Sequence, residues 1–147
     1  MEHMPFKGKV VIITGVTRGI GRACALQFSK AGATIAGIYL SNDAAATEVS
    51  QRVQEHGGLI HLYKGSVFDR DFVLTTFKDV FGTFGRVDVL VNNAGIGMRT
   101  VNPRFLVEPQ PFFKVTPEGF RDLIDINLTG YFLVARGFAP LMMEQGH

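Results

Sequence analysis

Lys9-Val-Val-Ile-Ile-Thr14-Gly15-Val16-Thr17-Arg18-Gly19-Ile20-Gly21 is the stretch that decides the fold. Its first six residues are a continuous run rich in β-branched side chains, as expected of a parallel strand covered on both faces. Glycines follow at 15, 19 and 21, and residues 20–30 then carry a helical pattern that Gly32 closes. This rhythm repeats down the chain. Residues 34–40 read as a second strand, and 43–56 as a second helix with Val49 and Val53 four apart and Gly57 as its stop. Residues 59–63 are a third strand. Asp69 can cap a third helix whose buried side carries Phe72, Val73, Phe77, Val80 and Phe81. Residues 87–91 complete the series as a fourth strand. Strands alternating with helices pair in parallel through right-handed crossovers, so the expected class is α/β, a doubly wound parallel sheet.

The rhythm breaks after Gly95. Residues 96–114 contain Pro103, Pro109 and Pro111 with Phe105, Phe112 and Phe113, and they show neither a helical nor an alternating period. A connector of that length is more often a functional loop than filler. Thr116 then caps a helix with Pro117 at its first position and Glu118 in its first turn. Helical pattern continues towards Met143, interrupted by Gly130, Gly137 and Pro140. No repeat or interdomain linker divides the 147 residues, which fit a single domain.

Composition narrows the function. The chain is 46% hydrophobic and 19% charged with a net charge of +2, and its basic residues are scattered, which argues against a nucleic-acid surface. Its one cysteine, Cys24, lies among Ala23, Ala25 and Leu26 and reads as a small buried core residue in a reducing compartment. The first residues lack a basic flank followed by an apolar run, and no apolar stretch approaches the roughly 20 residues that span a bilayer. A cytoplasmic location without membrane attachment is expected. His56, His61 and His147 lack ligand spacing, so no metal site is expected.

Three motifs carry chemistry. The first is the glycine turn, where missing Cβ atoms let the backbone approach a pyrophosphate that the following helix N-terminus can hold. Its spacing is Gly-x-x-x-Gly-x-Gly, weak alone and stronger between a strand and a helix. The second, Asn92-Asn93-Ala94-Gly95, ends the fourth strand and so falls on the same ligand-binding edge of the sheet. The third is Asn127 in Asp125-Ile126-Asn127-Leu128-Thr129-Gly130, a polar residue inside an otherwise apolar helix. By itself Asn127 fits a satisfied core polar residue better than a catalytic one.

In this order the three motifs resemble the short-chain dehydrogenase/reductase family, from about Lys7 to the last residue. The resemblance implies a Rossmann-type sheet of strand order 3-2-1-4-5-6-7, incomplete at the C-terminal side as printed, with residues 1–147 the dinucleotide-binding portion of one domain. It places Gly15, Gly19 and Gly21, with Thr17, Arg18 and Ile20, along the pyrophosphate and ribose, and Asn93, Ala94 and Gly95 along the adenosine side. Ser66-Val67 stands at the pair whose first member accepts from adenine. That member is commonly Asp, so Ser66 is a departure. Asn92 is expected to tie adjacent strands together. Asn127 corresponds to a catalytic residue that holds a water in a proton relay. The family's remaining catalytic residues, a serine and a Tyr-x-x-x-Lys pair, have no counterpart here; four residues after Tyr131 stands Ala135.

The resemblance implies an NAD(P)-dependent oxidoreductase that moves a hydride between nicotinamide and a small-molecule carbonyl or secondary alcohol. The 147 residues alone are expected to be catalytically incomplete, with either homo-oligomerisation or a missing C-terminal half supplying the rest. NADP(H) is expected over NAD(H). An NAD enzyme usually places a carboxylate about 20 residues after the glycine turn, where Tyr39 stands, and Arg18, Ser41 and Asn42 can serve a 2′-phosphate. Leu40 counts against this, standing where many NADP-preferring relatives carry arginine. The excess length in residues 96–114 is expected to wall a pocket for an apolar or bulky substrate, with a contact between subunits of an oligomer as the alternative. A naturally short dinucleotide-binding or interaction module without turnover is the alternative. A nucleotide-binding α/β protein of methyltransferase type would fit the fold, but not Asn92-Asn93-Ala94-Gly95 or Asn127.

Overall fold

Four parallel strands form one sheet in the order β3-β2-β1-β4 in the computed structural model, which describes residues 4–97 and 112–146. The strands are β1 (Val10–Thr14), β2 (Thr34–Tyr39), β3 (Leu59–Lys64) and β4 (Val89–Val91). β1 pairs with β2 from Val10 opposite Thr34 to Thr14 opposite Ile38, and with β4 from Val11 opposite Val89 to Ile13 opposite Val91. All five of its residues are buried, which is why it reads as an unbroken apolar run.

Alternate residues of β1 feed two cores, one on each face of the sheet. Val10 and Ile12 pack with Val73 and Val80 of α3 (Arg70–Phe84) and with Val134, Phe138 and Leu141 of α5 (Gly130–Gln145). Val11 and Ile13 pack with Ala25 of α1 (Gly19–Lys30) and Val49 of α2 (Asp43–Gln54). The sheet is thus covered on both sides, the doubly wound arrangement that the strand–helix rhythm requires.

Three departures from the sequence reading have physical causes. The fourth strand begins at Val89 rather than at residue 87. The Asp88 carboxylate accepts from the Val10 N–H at 2.8 Å, flanked by Lys9 and Arg86, and the Gln145 side-chain amide takes both the N–H and the C=O of Val87. Side chains thus take the Val10 N–H and both polar groups of Val87, and one backbone bond, from the Asp88 N–H to the Val10 carbonyl, joins β1 there. On α3, Phe81 is 45% exposed, while Thr76 enters the core at 3%. The buried stripe runs through Val73, Thr76 and Val80, leaving Phe81 to stack on Phe77 with ring centroids 6.4 Å apart. Cys24 is half-buried against the second core rather than fully enclosed.

The C-terminal helical pattern is not one helix. It divides into α4 (Pro117–Ile124), a π-helical segment (Asp125–Thr129) and α5. The wider turn ends at Gly130, whose backbone packs so closely on Val67 that a Cβ there would lie 2.8 Å from Val67 Cγ2. The segment holds the Asn127 motif, in keeping with the tendency of π-turns to occur at functional positions.

Candidate functional site

In a parallel sheet, one edge collects the carboxyl ends of all strands, and four of the singled-out segments follow strand ends there. Residues 15–21 follow β1, residues 39–42 end β2 and open α2, Ser66 and Val67 follow β3, and residues 92–95 follow β4. The expected wall at residues 96–114 lies, for residues 98–111, outside the described residues. Of its described part, Phe112–Lys114 forms one 3-10 turn and Phe113 is exposed.

The glycine turn begins with Gly15 at φ +70°, a left-handed conformation that side chains with a Cβ resist. Gly15 and Val16 both donate to the Ile38 carbonyl of β2, fixing the turn against the neighbouring strand. A Cβ on Gly15 would lie 3.0 Å from the Ala94 Cα, and one on Gly21 would run into the Gly15 carbonyl oxygen. The helix start, the turn and the end of β4 therefore meet backbone to backbone. Asn42, Asp69 and Thr116 cap α2, α3 and α4 with side-chain oxygens, whereas α1, entered through Arg18, has no side-chain cap. Among the described helices that start from a loop, α1 is the exception. Its first turn also lacks an acidic residue, so the positive end of its dipole is not answered by the chain itself.

The end of β4 is tied to this turn by Thr14 and Asn93. The buried Thr14 hydroxyl accepts from the Asn93 N–H at 2.9 Å and from the Ala94 N–H at 2.8 Å. The Asn93 side-chain amide donates back to the Thr14 carbonyl at 3.0 Å and to that of Gly15 at 3.4 Å. This corrects the expected division of labour: Asn93 joins the strands, and Asn92 instead donates to the Tyr131 carbonyl on α5 at 2.9 Å. Alternation along β4 explains the swap, because consecutive side chains point to opposite faces. Thr14 was quoted in the motif but not singled out, and its type at the last position of a buried strand was the signal.

At the ends of β2 and β3, Tyr39 donates its hydroxyl to Asp43 Oδ1 at 2.9 Å, and Lys64 Nζ donates to Asp43 Oδ2 at 2.7 Å. The hydrogen bond from Lys64 and then that from Tyr39 hold the Asp43 carboxyl below its ordinary range. The bond to Asp43 keeps Lys64 charged and Tyr39 protonated to higher pH than usual. Asp43 and Lys64 were not singled out, since their pairing spans 21 positions and exists only once β2 and β3 lie side by side. Ser41 is exposed, and the Asn42 side-chain oxygen caps α2 through the Ala45 N–H. Ser66 Oγ accepts from the Phe68 N–H at 3.2 Å. Val67 is buried and belongs to the first core. Thr17 is half-buried, and Arg18 and Ile20 are exposed at the mouth of the turn.

Asn127 reaches this edge from the π segment. Its Oδ1 accepts from the Ile96 N–H and its Nδ2 donates to the Ile96 carbonyl, both at 2.8 Å. A Cβ on Gly95 would sit 3.1 Å from Asn127 Oδ1. The amide thus holds the backbone that leaves Asn92-Asn93-Ala94-Gly95, while keeping a second lone pair and a second N–H. Among the described residues no cluster of metal-ligating side chains occurs, and no helix is long and apolar enough to cross a membrane.

The family model for short chain dehydrogenase matches residues 9–147. An uncharacterized oxidoreductase of Mycobacterium tuberculosis is 34% identical over 99% of this chain and 53% of its own length. A metagenomic short-chain oxidoreductase solved in complex with NADP is similar with a TM-score of 0.84 at 28% identity, over 95% of this chain and 59% of that one. A short chain dehydrogenase of Mycobacterium paratuberculosis bound to NAD gives a TM-score of 0.83 at 29% identity, over 97% of this chain and 53% of that one. The chain spans about half the length of the curated relatives it matches.

Proposed function

The chain belongs to the short chain dehydrogenase family, and on that premise we propose that it forms the NAD(P)(H)-binding part of an oxidoreductase acting on a carbonyl or secondary alcohol. The observation that carries this reading is the uncapped start of α1 beside the cradle of Gly15, Gly21 and Ala94. Bare backbone at the positive end of a helix is suited to a pyrophosphate. When bound, the dinucleotide supplies a hydride donor or acceptor. Gly15, Gly19 and Gly21 let the backbone close on the phosphates, with Thr17 and Arg18 adding donors and Ile20 an apolar cover. Asn93, Ala94 and Gly95 line the adenosine side at a position that Thr14 fixes. Ser66 and the Val67 backbone complete the adenine end.

Asn127 acts by positioning. Through Ile96 it orders the backbone from Gly95 onwards, and its remaining lone pair and N–H can hold a water. The acid–base group of the reaction lies outside these 147 residues. Tyr39, Tyr63 and Tyr131 are followed four positions later by Asp43, Val67 and Ala135, so no Tyr-x-x-x-Lys pair is present. Tyr39 and Tyr63 also donate their hydroxyls to Asp43 and Asp79. NADP(H) is the favoured cofactor, a reading supported by the tyrosine at the end of β2 where an NAD enzyme places a carboxylate.

Calorimetric titration of the full-length protein with NADPH and NADH tests the proposal. Both are expected to bind, NADPH more tightly. Gly21→Val should weaken both by more than about a hundredfold, because its side chain must displace the Gly15 carbonyl. Unchanged binding by a folded Gly21→Val protein would remove the reading.

A further inference from the structure

Lys64, Asp43 and Tyr39 meet where β2 and β3 end and α2 begins, a place tied by backbone to the glycine turn. Ile38 accepts from Gly15 and Val16, and Tyr39, the next residue, accepts from Gly65, the residue after Lys64. Lys64 and Asp43 remain about half exposed, at 51% and 64% of their side chains, so a ligand on this edge can reach both. Asp43 is the carboxylate nearest in sequence to the end of β2, the place from which such a group would accept the ribose 2′-OH of NAD. It is not available in that form. One oxygen is held by Lys64 and the other by Tyr39, and the lysine charge cancels its own.

We propose that Lys64 is the residue that selects NADP(H), with Asp43 as its resting counter-ion and Tyr39 as the clamp that holds Asp43 in place. The proposal rests on the dinucleotide-binding reading above and deepens it. The ammonium turns from one anion to share itself with a second, the 2′-phosphate, and needs only rotation of its own flexible stem. Asp43 keeps that ammonium at the cofactor edge before binding. It is kept from repelling the phosphate only as long as Lys64 is present. The lysine therefore does two things: it attracts the 2′-phosphate, and it masks a carboxylate that would otherwise favour NAD(H).

This double role separates the variants. In the full-length protein, Lys64→Met should weaken NADPH binding about ten- to hundredfold, the range for a lost hydrogen bond to a charged group. NADH binding should stay level or tighten, because Asp43 is then free to accept the 2′-OH. Lys64→Arg should keep the preference. In an Asp43→Asn background the same Lys64→Met change should lose less NADPH affinity, since no carboxylate is unmasked. Adenosine 2′,5′-bisphosphate and 5′-AMP serve as minimal probes of the same contrast. A Lys64→Met protein whose NADPH and NADH affinities fall together, or do not change, overturns the proposal while leaving the dinucleotide reading intact. A folded wild-type protein that binds neither cofactor overturns the dinucleotide reading, and this proposal with it.

Discussion

Thr14 is fully buried, and its hydroxyl oxygen accepts from two consecutive backbone N–H groups at the end of β4. Valine has nearly the same shape without the oxygen. Thr14→Val should therefore leave both N–H groups unsatisfied in a buried place and destabilise the protein by about 2–5 kcal/mol, read from the urea midpoint. A change within about 0.5 kcal/mol would show that the backbone finds other partners. Cofactor affinity should fall as well, because Ala94 and Gly15 lose their fixed spacing. At this scale the sequence was readable in type but not in role. Residue identity marked Asn92-Asn93-Ala94-Gly95 as a candidate site. Which asparagine faced β1 depended on the phase of a three-residue strand, and a side chain, not a ladder, set where that strand begins.

Among elements, the cluster joining β2, α2 and β3 makes a prediction whose sign follows from its charges. Asp43 is held below the ordinary carboxyl range, chiefly by Lys64. Its share of stability is present above the unfolded carboxyl value and is lost as pH falls through the folded one. Lys64 is held above the ordinary lysine range, chiefly by Asp43. Its share is complete below the unfolded lysine value and is lost as pH rises through the folded one. Lys64→Met should thus unfold at a lower temperature than wild type between these limits, with the gap closing in acid and again in alkali. The effect is small for exposed partners, and salt should shrink it further. A gap that persists in strong acid would assign it to lost packing of the lysine stem. Elements were legible wherever one signal dominated: continuous burial for β1, and side-chain caps at Asp69 and Thr116. The π segment was not, because a wider turn leaves the composition of a helix unchanged and only shifts its phase.

For the molecule as a whole, the strand order β3-β2-β1-β4 followed from the resemblance and from alternation together. The same order leaves β4 paired on one side among the described residues, with Val89, Leu90 and Val91 half-buried. Along α4, the π segment and α5, Phe120, Ile124, Leu128 and Phe132 are exposed at intervals of four residues. Residues 1–147 expressed alone should therefore not persist as a stable monomer. Each large apolar side chain left in water forfeits about 1.5–3 kcal/mol against a net domain stability of about 5–15 kcal/mol. Sedimentation together with thermal unfolding checks this, and a cooperative transition from a monomer would contradict it. The same preparation should not oxidise NADPH with any carbonyl.

Two side-chain amides, one in the π segment and one at the end of α5, grip the backbone on either side of β4. Asn127 pairs with both polar groups of Ile96, and Gln145 with both polar groups of Val87. Each helix amide stands in for a neighbouring strand. The amide protons at the two ends of this segment are consequently guarded by helical elements rather than by the sheet, and their exchange with deuterium should follow the opening of those elements. Gln145→Ala should release the Val87 proton early while protons in the β1–β2 ladder keep their pace, so that β4 frays from its ends inward on the clock of the helices that hold it.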